Sequence, residues 1–280
     1  MAKHNAEVFV LVGLFANVAA LSIDKSDGGY KDVLVSIHDD VQPDETIVDN
    51  LKVLLRASSA FLHRATYGRV YFRHAIIDFP VTWPKRSVAR GVSSAFFTWS
   101  DVRVENPTLI DDVPVFAETS RRCGQRGKFI QLSSSFLAGL NSSTTETYES
   151  AAYAFVHAWA KFRYGVFEEY GSIYDDNNPF TYCTPDGKVT LNSCSSKILF
   201  SVKGECEIRE NCQFTENCQV VIFQGTDNPV DSSIMFMPYL HNASISVIWA
   251  SSRTHVVHIY HRFIMHLSAC RECAFVEEVI

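Results

Sequence analysis

Two side chains that could support metal chemistry lie one helical turn apart in the stretch His157-Ala158-Trp159-Ala160-Lys161. In the zinc-hydrolase pattern H-E-x-x-H, histidines at the first and last positions reach one Zn²⁺ from the same helix face, and the glutamate takes a proton from the metal-bound water. Here Ala158 holds the position of the base and Lys161 that of the second ligand. A methyl group cannot accept a proton, and an ammonium offers a metal no lone pair. On its own, a His-x-x-x-Lys pair predicts no function.

The surrounding residues predict the helix that must carry this pair. Residues from Glu149 to Tyr164 are rich in alanine and in large apolar side chains that a helix tolerates well. Gly165 follows directly and is predicted to end the helix. A polar loop at 141–147 precedes it, and a strand is predicted at 128–132.

The first part of the chain predicts a β-α-β order. A strand is expected at Asp32–Ile37, then a helix with Asp44 as its N-cap that continues to about Thr66, then a strand at Arg69–Phe79. Gly68 separates the last two elements. Further short strands are predicted around 102–104, 113–116 and 220–223. This order indicates an α+β or α/β fold class.

The residues around His157 carry a family resemblance. The chain reads His157, Trp159-Ala160, Gly165-Val166-Phe167 and Glu169-Tyr170 without a gap. It resembles the N-terminal domain of the calcium-activated chloride channel regulators, in which this segment reads H-E-W-A-H, two residues, then W-G-V-F-D-E-Y. Four other stretches are similar to the family's R-x-Y-F, P-x-T-W, C-G-x-x-G and S-I-M-F: Arg69–Phe72, Pro80–Trp83, Cys123–Gly127 and Ser233–Phe236. The resemblance covers roughly residues 22–240.

The resemblance implies a zincin-like metallohydrolase domain, with a mixed sheet and packed helices, plus a disulfide-rich subdomain. Glu168 stands where the family has its third zinc ligand, so His157 and Glu168 are the remnant ligand positions. Ala158 and Lys161 are the degenerate ones, and no catalytic residue remains. Two ligands make a poor zinc site. We therefore expect a pseudoenzyme without a cofactor, whereas intact family members hold zinc, and we expect Lys161 and Glu168 to converge where the metal would be.

The N-terminal residues predict a signal peptide at 1–20. Lys3 and His4 precede an apolar run from Val8 to Leu21, and small residues at 18–20 suit cleavage. A retained N-terminal anchor is the alternative, but the apolar run is short for a membrane crossing. No later segment reads as a transmembrane helix. The remaining division is a zincin-like domain at 21–182, its Cys-rich part at 183–240 and a divergent tail at 241–280.

Cysteine usage also indicates export. Five of the eight cysteines lie between residues 183 and 218, which predicts a subdomain held by disulfides in an oxidising compartment. Because five is odd, one of them must pair outside the cluster, with Cys123 as a candidate, or stay free. The sequons at Asn141 and Asn242 are candidate glycosylation sites, which fit a secreted or cell-surface protein. The cluster consists of Cys183, Cys194, Cys206, Cys212 and Cys218.

Charge limits the partners. The formal net charge of −6 and the lack of a Lys/Arg cluster exclude nucleic acid and anionic lipid as expected partners. The resemblance implies an extracellular or membrane protein as partner, a chloride channel being one candidate.

Two other groups could bind metal. His255, His258 and His261 with the Cys270–Cys273 pair could form a zinc site, but a divergent or alternatively spliced tail explains them more simply. Met235 is either the methionine beneath a zincin metal site or a core residue.

Three functions remain open: a non-catalytic regulator of calcium-activated chloride conductance that acts by protein binding, a zinc metallohydrolase with the self-cleaving activity of intact family members, and a truncated product without independent function.

Overall fold

The computed structural model describes residues 9–11, 21–84, 97–106, 114–120, 123–140, 145–171, 178–193, 200–215, 217–222 and 234–235. The chain divides into two compact units, Met1–Gly165 and Val166–Ile280.

A mixed six-stranded sheet forms the centre of the first unit. Its strand order is β1-β6-β4-β7-β9-β8, and every neighbouring pair is parallel except β8 with β9. The middle strand, β4, is buried at all five positions because helices and neighbouring strands enclose it. The strands are β1 Phe9–Leu11, β4 Val33–Ile37, β6 His74–Asp78, β7 Val102–Glu105, β8 Val115–Glu118 and β9 Phe129–Ser133. A second sheet consists of β2 Ser22–Asp24, β3 Gly29–Lys31 and β5 Tyr71–Phe72.

Among the described residues of this unit, three α-helices pack together: α1 Glu45–Ala65, α2 Ser134–Gly139 and α3 Thr145–Tyr164. Asp44 caps α1 by accepting a hydrogen bond from the backbone N of Thr46 at 2.8 Å, as predicted. Buried Asn50 of α1 donates to the carbonyl of Leu137 in α2 and to that of Leu140, which follows α2, and it accepts from the hydroxyl of Tyr148 on α3. All three helices are therefore tied through one satisfied amide.

The predicted α+β class is confirmed, and the differences from the expected elements are local. The single strand expected at Arg69–Phe79 is two strands that belong to different sheets, because β5 pairs with β3 while β6 pairs with β4. Arg73 lies at the break, and its guanidinium binds Asp24 at 3.0 Å and also Asp27. The helix α3 begins at Thr145, four residues before the predicted start.

Three residues of the predicted signal peptide, Phe9–Leu11, form the edge strand β1 beside β6. The other residues of 1–20 lie outside the described part of the chain, so the signal peptide stays a prediction. Among the described helices, none combines the length and the apolar character that a membrane crossing requires.

The described part of the second unit contains two antiparallel hairpins held by disulfides. Strands β10 Thr181–Cys183 and β11 Val189–Leu191 form one, and β12 Phe200–Gly204 and β13 Cys218–Ile222 form the other. Disulfides join Cys183 to Cys212 and Cys206 to Cys218, which confirms the disulfides predicted for this region. Cys123 of the first unit is also disulfide-bonded. Cys194 lies outside the described residues.

We expect these two bridges in secreted protein. Peptide mapping under non-reducing conditions should yield a Cys183–Cys212 pair and a Cys206–Cys218 pair. Reduction should lower stability by ~2–4 kcal/mol per bridge, because each one constrains the unfolded chain. Changing both Cys206 and Cys218 to serine is the matched control for reduction, since it removes one bridge and leaves the other. Free thiols at all four positions would contradict the pairing.

Candidate functional site

The helix α3 holds His157, Ala158 and Lys161 in a largely enclosed position. His157 is 4% exposed and Ala158 is 3% exposed, while Lys161 is partly buried. The ring of His157 meets the ring of Tyr153 edge to face, with centroids 6.4 Å apart. His157 thus places an imidazole at the first ligand position. Ala158 places a methyl group at the position of the base, and Lys161 places an ammonium at the second ligand position. This donor set does not fit zinc, because a lysine charge stands where a dication would need an electron pair.

The third remnant position, Glu168, lies beyond the end of α3 in the second unit, where it is partly buried. Its neighbour Glu169 is 5% exposed, and the backbone N of Glu169 donates to the carbonyl of Met235 at 3.1 Å. Met235 is 1% exposed, which fits a packing role. Across the described residues, no three His, Cys, Asp or Glu side chains are grouped as a metal site would need.

Trp159, between the degenerate positions, is a core residue. It is fully buried and contacts Tyr30, Phe72 and Phe162, with ring centroids 4.7–5.6 Å apart. Its edge-on contacts with Tyr30 and Phe72 have the geometry that aromatic pairs prefer. The tryptophan of the motif therefore attaches α3 to β3 and β5.

The Cys123–Gly127 loop closes the C-terminal end of α3. Gly127 N donates to the Phe162 carbonyl at 2.7 Å, and Gly124 N donates to the Gly165 carbonyl at 3.1 Å. A Cβ on Gly127 would lie 2.6 Å from the Glu118 carbonyl oxygen, so no larger residue fits without a shift. Gly165 has φ +62°, the left-handed conformation that ends helices. The glycines of both motifs thus serve close backbone approach rather than chemistry.

Arg126 of the same loop binds a buried carboxylate. Its guanidinium pairs with Asp101, which is 4% exposed, and lies 4.7 Å from the ring centroid of Phe162. Asp101 also accepts from the backbone N of Leu34 at 2.9 Å. Burial raises the pKa of Asp101, and the hydrogen bond from Leu34 and the charge of Arg126 partly offset that rise.

A polar group at the carboxyl ends of β4 and β6 was missed in the sequence. Asp78 pairs in register with Ser36, whose hydroxyl lies 3.4 Å from its carboxylate. Burial raises the pKa of Asp78 to about 6. Just after β4, Nδ1 of His38 lies 2.5 Å from Oδ1 of Asp40. The available signal was an acidic residue at or near the end of each apolar strand, Asp39 two residues after β4 and Asp78 as the last residue of β6.

Two sets of sequence-predicted residues lie outside the described part of the chain. They are the glycosylation candidates Asn141 and Asn242, and the C-terminal histidines and cysteines from 255 to 273. These stay predictions.

The relatives found by comparison with known proteins are all calcium-activated chloride channel regulators. The chain is 27% identical over 247 residues to calcium-activated chloride channel regulator 1 of Bos taurus, covering 85% of this chain and 26% of the relative. It is 31% identical over 256 residues to regulator 2 of Homo sapiens, covering 89% and 26%. For regulator 2 of Mus musculus the identity is 33% over 219 residues, covering 76% and 22%. The chain thus spans about a quarter of the length of these relatives. No solved structure matches.

The family model described as "Calcium-activated chloride channel N terminal" (CLCA) matches residues 23–262, which is most of the chain. The match includes α3, the Cys123–Gly127 loop and both disulfides described above. The chain therefore belongs to the calcium-activated chloride channel regulator family and corresponds to its N-terminal region.

Proposed function

We propose that this chain is a non-catalytic, secreted or cell-surface member of the family that acts by binding another protein. The proposal rests on which residue types α3 retains and which it has replaced. The helix keeps its packing residues, while Ala158 and Lys161 replace the groups that would activate water and hold zinc. The methyl group of Ala158 has no atom that can accept a proton from water.

We also propose a zincin-like arrangement for the first unit. The support is the mixed sheet, whose antiparallel edge strand β8 and neighbour β9 both pack against α3. In this arrangement the edge strand and the helix would flank the ancestral metal position. A helix that no longer binds metal can keep this place because its packing contacts do not involve the lost ligands.

The partner and the site of action follow from the family and the cysteines. The relatives are regulators of calcium-activated chloride channels by name. We propose that this chain modulates a calcium-activated chloride conductance from outside the cell through contact with a membrane or extracellular protein. The two disulfides support export, because such bridges persist in oxidising compartments.

Zinc content tests the non-catalytic proposal. Full-length chain purified from the medium of expressing cells should contain far less than one zinc per chain. It should also show no peptidase or self-cleaving activity with zinc added. About one zinc per chain, lost in His157→Ala but kept in the control His38→Ala, would instead favour the metallohydrolase.

Electrophysiology tests the regulatory proposal. Medium containing the secreted chain should change the calcium-activated chloride current of cells that carry one. Medium from cells expressing the chain without residues 1–20 is the control. Failure of the intact chain to reach the medium in folded form would favour a product without independent function.

A further inference from the structure

The strand β6 has one fully paired side and one side that only a short segment covers. On its inner side, β6 pairs with β4 in register. On its outer side, β1 is the one strand that the described part of the chain provides, and it pairs only with His74–Ile76. Because β1 lies within the predicted signal peptide at 1–20, cleavage would remove it. The outer main-chain N–H and C=O groups of β6 would then be open to a new strand.

The side chains of β6 are not matched to β1. His74, Ile76 and Asp78 are two residues apart along the strand and therefore share one face of the sheet. The residues of β1 that pair with β6 are Phe9–Leu11, which are all apolar. With β1 in place, Nε2 of His74 and Oδ1 of Asp78 are buried, and neither meets a hydrogen-bond partner among the described residues. The pairing with β1 thus leaves the two polar side chains of the edge unsatisfied.

The spacing of these groups is complementary to itself. When two copies of β6 pair antiparallel about a two-fold axis at Ile76, His74 lies opposite Asp78 of the partner subunit. The same symmetry places Asp78 opposite His74 of the partner subunit, and Ile76 meets its own copy at the axis. On the other face, the small Ala75 lies opposite the larger Ile77 of the partner subunit. Directly opposite side chains have Cβ atoms about 4.5–5.5 Å apart, so the imidazole and the carboxylate reach each other.

The existing contacts of both polar groups leave room for this pairing. Nδ1 of His74 lies 2.9 Å from a carboxylate oxygen of Asp32, so Nε2 is the nitrogen that remains for a second partner. Oδ2 of Asp78 lies 3.4 Å from the hydroxyl of Ser36, and Oδ1 remains. One proton, on Nε2 or on the carboxyl group, completes the hydrogen bond between the two copies. The strand also contains neither lysine nor proline, the residues that commonly protect an open edge.

We propose that the outer edge of β6 is a dimerisation surface, at which a second copy of this chain pairs antiparallel and His74 and Asp78 form two reciprocal pairs across the two-fold axis. The central sheets of the two copies then form one continuous sheet. This inference rests on the secretion in the proposed function, because removal of residues 1–20 frees the edge. It does not depend on zinc or on a chloride conductance.

Sedimentation of the secreted chain tests the interface. Protein is collected from the medium, its first residue is identified by N-terminal sequencing, and it is centrifuged over a series of concentrations. A concentration-dependent dimer is expected. Hydrogen exchange at the outward-facing amides of β6 should slow as the dimer forms, because these amides enter the new strand pairing. A chain that stays monomeric overturns the proposal, whichever residue it begins with.

Substitutions at Ile76 test whether the two copies meet at this residue. Ile76 is half-buried, and a charge placed there faces the same charge across the axis. Ile76→Lys and Ile76→Glu should therefore each be monomeric alone, and their mixture should form a heterodimer through pairs of opposite charge. The matched control is Phe116→Lys, which changes a 42% exposed ring on β8 at the opposite edge of the sheet. It should keep the dimer.

Asp78→Ala separates association from folding and decides the question if the Ile76 variants do not fold. Burial raises the pKa of Asp78, so the charged carboxylate is costly within one chain and its removal should not lower the stability of the monomer. Each cross-strand pair of opposite charge contributes up to about fivefold to an equilibrium constant, and the dimer has two. The dissociation constant should therefore rise by up to about 25-fold. An unchanged dissociation constant, or dimers of both Ile76 variants alone, overturns the proposal.

The outcomes also separate this inference from the proposed function. A monomer that changes the chloride current overturns the dimer alone. A dimer that leaves the current unchanged counts against the proposed function alone. If the chain does not reach the medium, the proposed function fails, and the same sedimentation measurement on chain extracted from the cells decides whether the dimer exists.

Discussion

Changing Ala158 to glutamate and Lys161 to histidine together should produce a chain whose thermal unfolding temperature rises when zinc is added. The pair restores two histidines at i and i+4 and a glutamate beside the first, with Glu168 as the third ligand that the family resemblance implies. Metal that binds only the folded state stabilises it by about 2.7 kcal/mol at 100 times Kd. The unaltered chain should show no such shift.

Two further variants separate the effect of the base at position 158 from that of the metal ligand at position 161. Ala158→Glu alone should destabilise the chain with or without zinc. It places a carboxylate at a position that is 3% exposed, and no bound metal ion offsets the negative charge. The double variant Ala158→Gln with Lys161→His is the matched control for catalysis, since it restores the ligand but not the base. It should bind zinc without peptidase activity. If the double variant Ala158→Glu with Lys161→His shows no stabilisation by zinc, then restoring the residue types at these two positions is not sufficient for a zinc site on this helix.

The helices were the most predictable part of the fold. The apolar period of α1 and the capping carboxylate of Asp44 act within one segment, so both could be read from the sequence. Gly165 was predictable for the same reason, because a glycine after an apolar helix indicates a left-handed end. These features depend on neighbours within a few residues.

The break at Arg73 could not be predicted, because it depends on distant pairing. Residues 71–72 and 74–78 have a continuous strand pattern, and only the positions of β3 and β4 assign them to different sheets. The salt bridge from Arg73 to Asp24 spans 49 residues of sequence. Strand propensity carries no information about such partners.

The candidate site was predictable only in part for a related reason. The motif located His157, Ala158 and Lys161, because a four-residue spacing fixes positions on a helix. It gave no indication of the hydrogen bond between the hydroxyls of Tyr30 and Tyr164, which lie 134 residues apart in sequence and meet only in the folded chain. The spacing of a motif predicts which side chains lie together within one helix or strand, whereas Tyr30 and Tyr164 belong to two different elements, β3 and α3.

The retained residues of the motif have packing roles in this chain. Gly127 and Gly165 permit the loop and the helix end to approach, and Trp159 fills the space between α3 and two strands. A change at position 161 alters the donor groups of the helix, whereas a change at any of these three residues removes packing. Selection for a folded domain would therefore retain these three residues whatever residue types stand at positions 158 and 161.

This reasoning predicts a large effect for Trp159→Ala. Trp159 is fully buried among Tyr30, Phe72 and Phe162, so the truncation should leave a cavity and cost about 3–5 kcal/mol of unfolding free energy. Trp99→Ala is the matched control, because Trp99 is 79% exposed and its truncation should cost within about 0.5 kcal/mol. Urea unfolding followed by circular dichroism measures both. Equal losses in the two variants would mean that the motif tryptophan is not a core residue, and the retained pattern would then need a functional explanation.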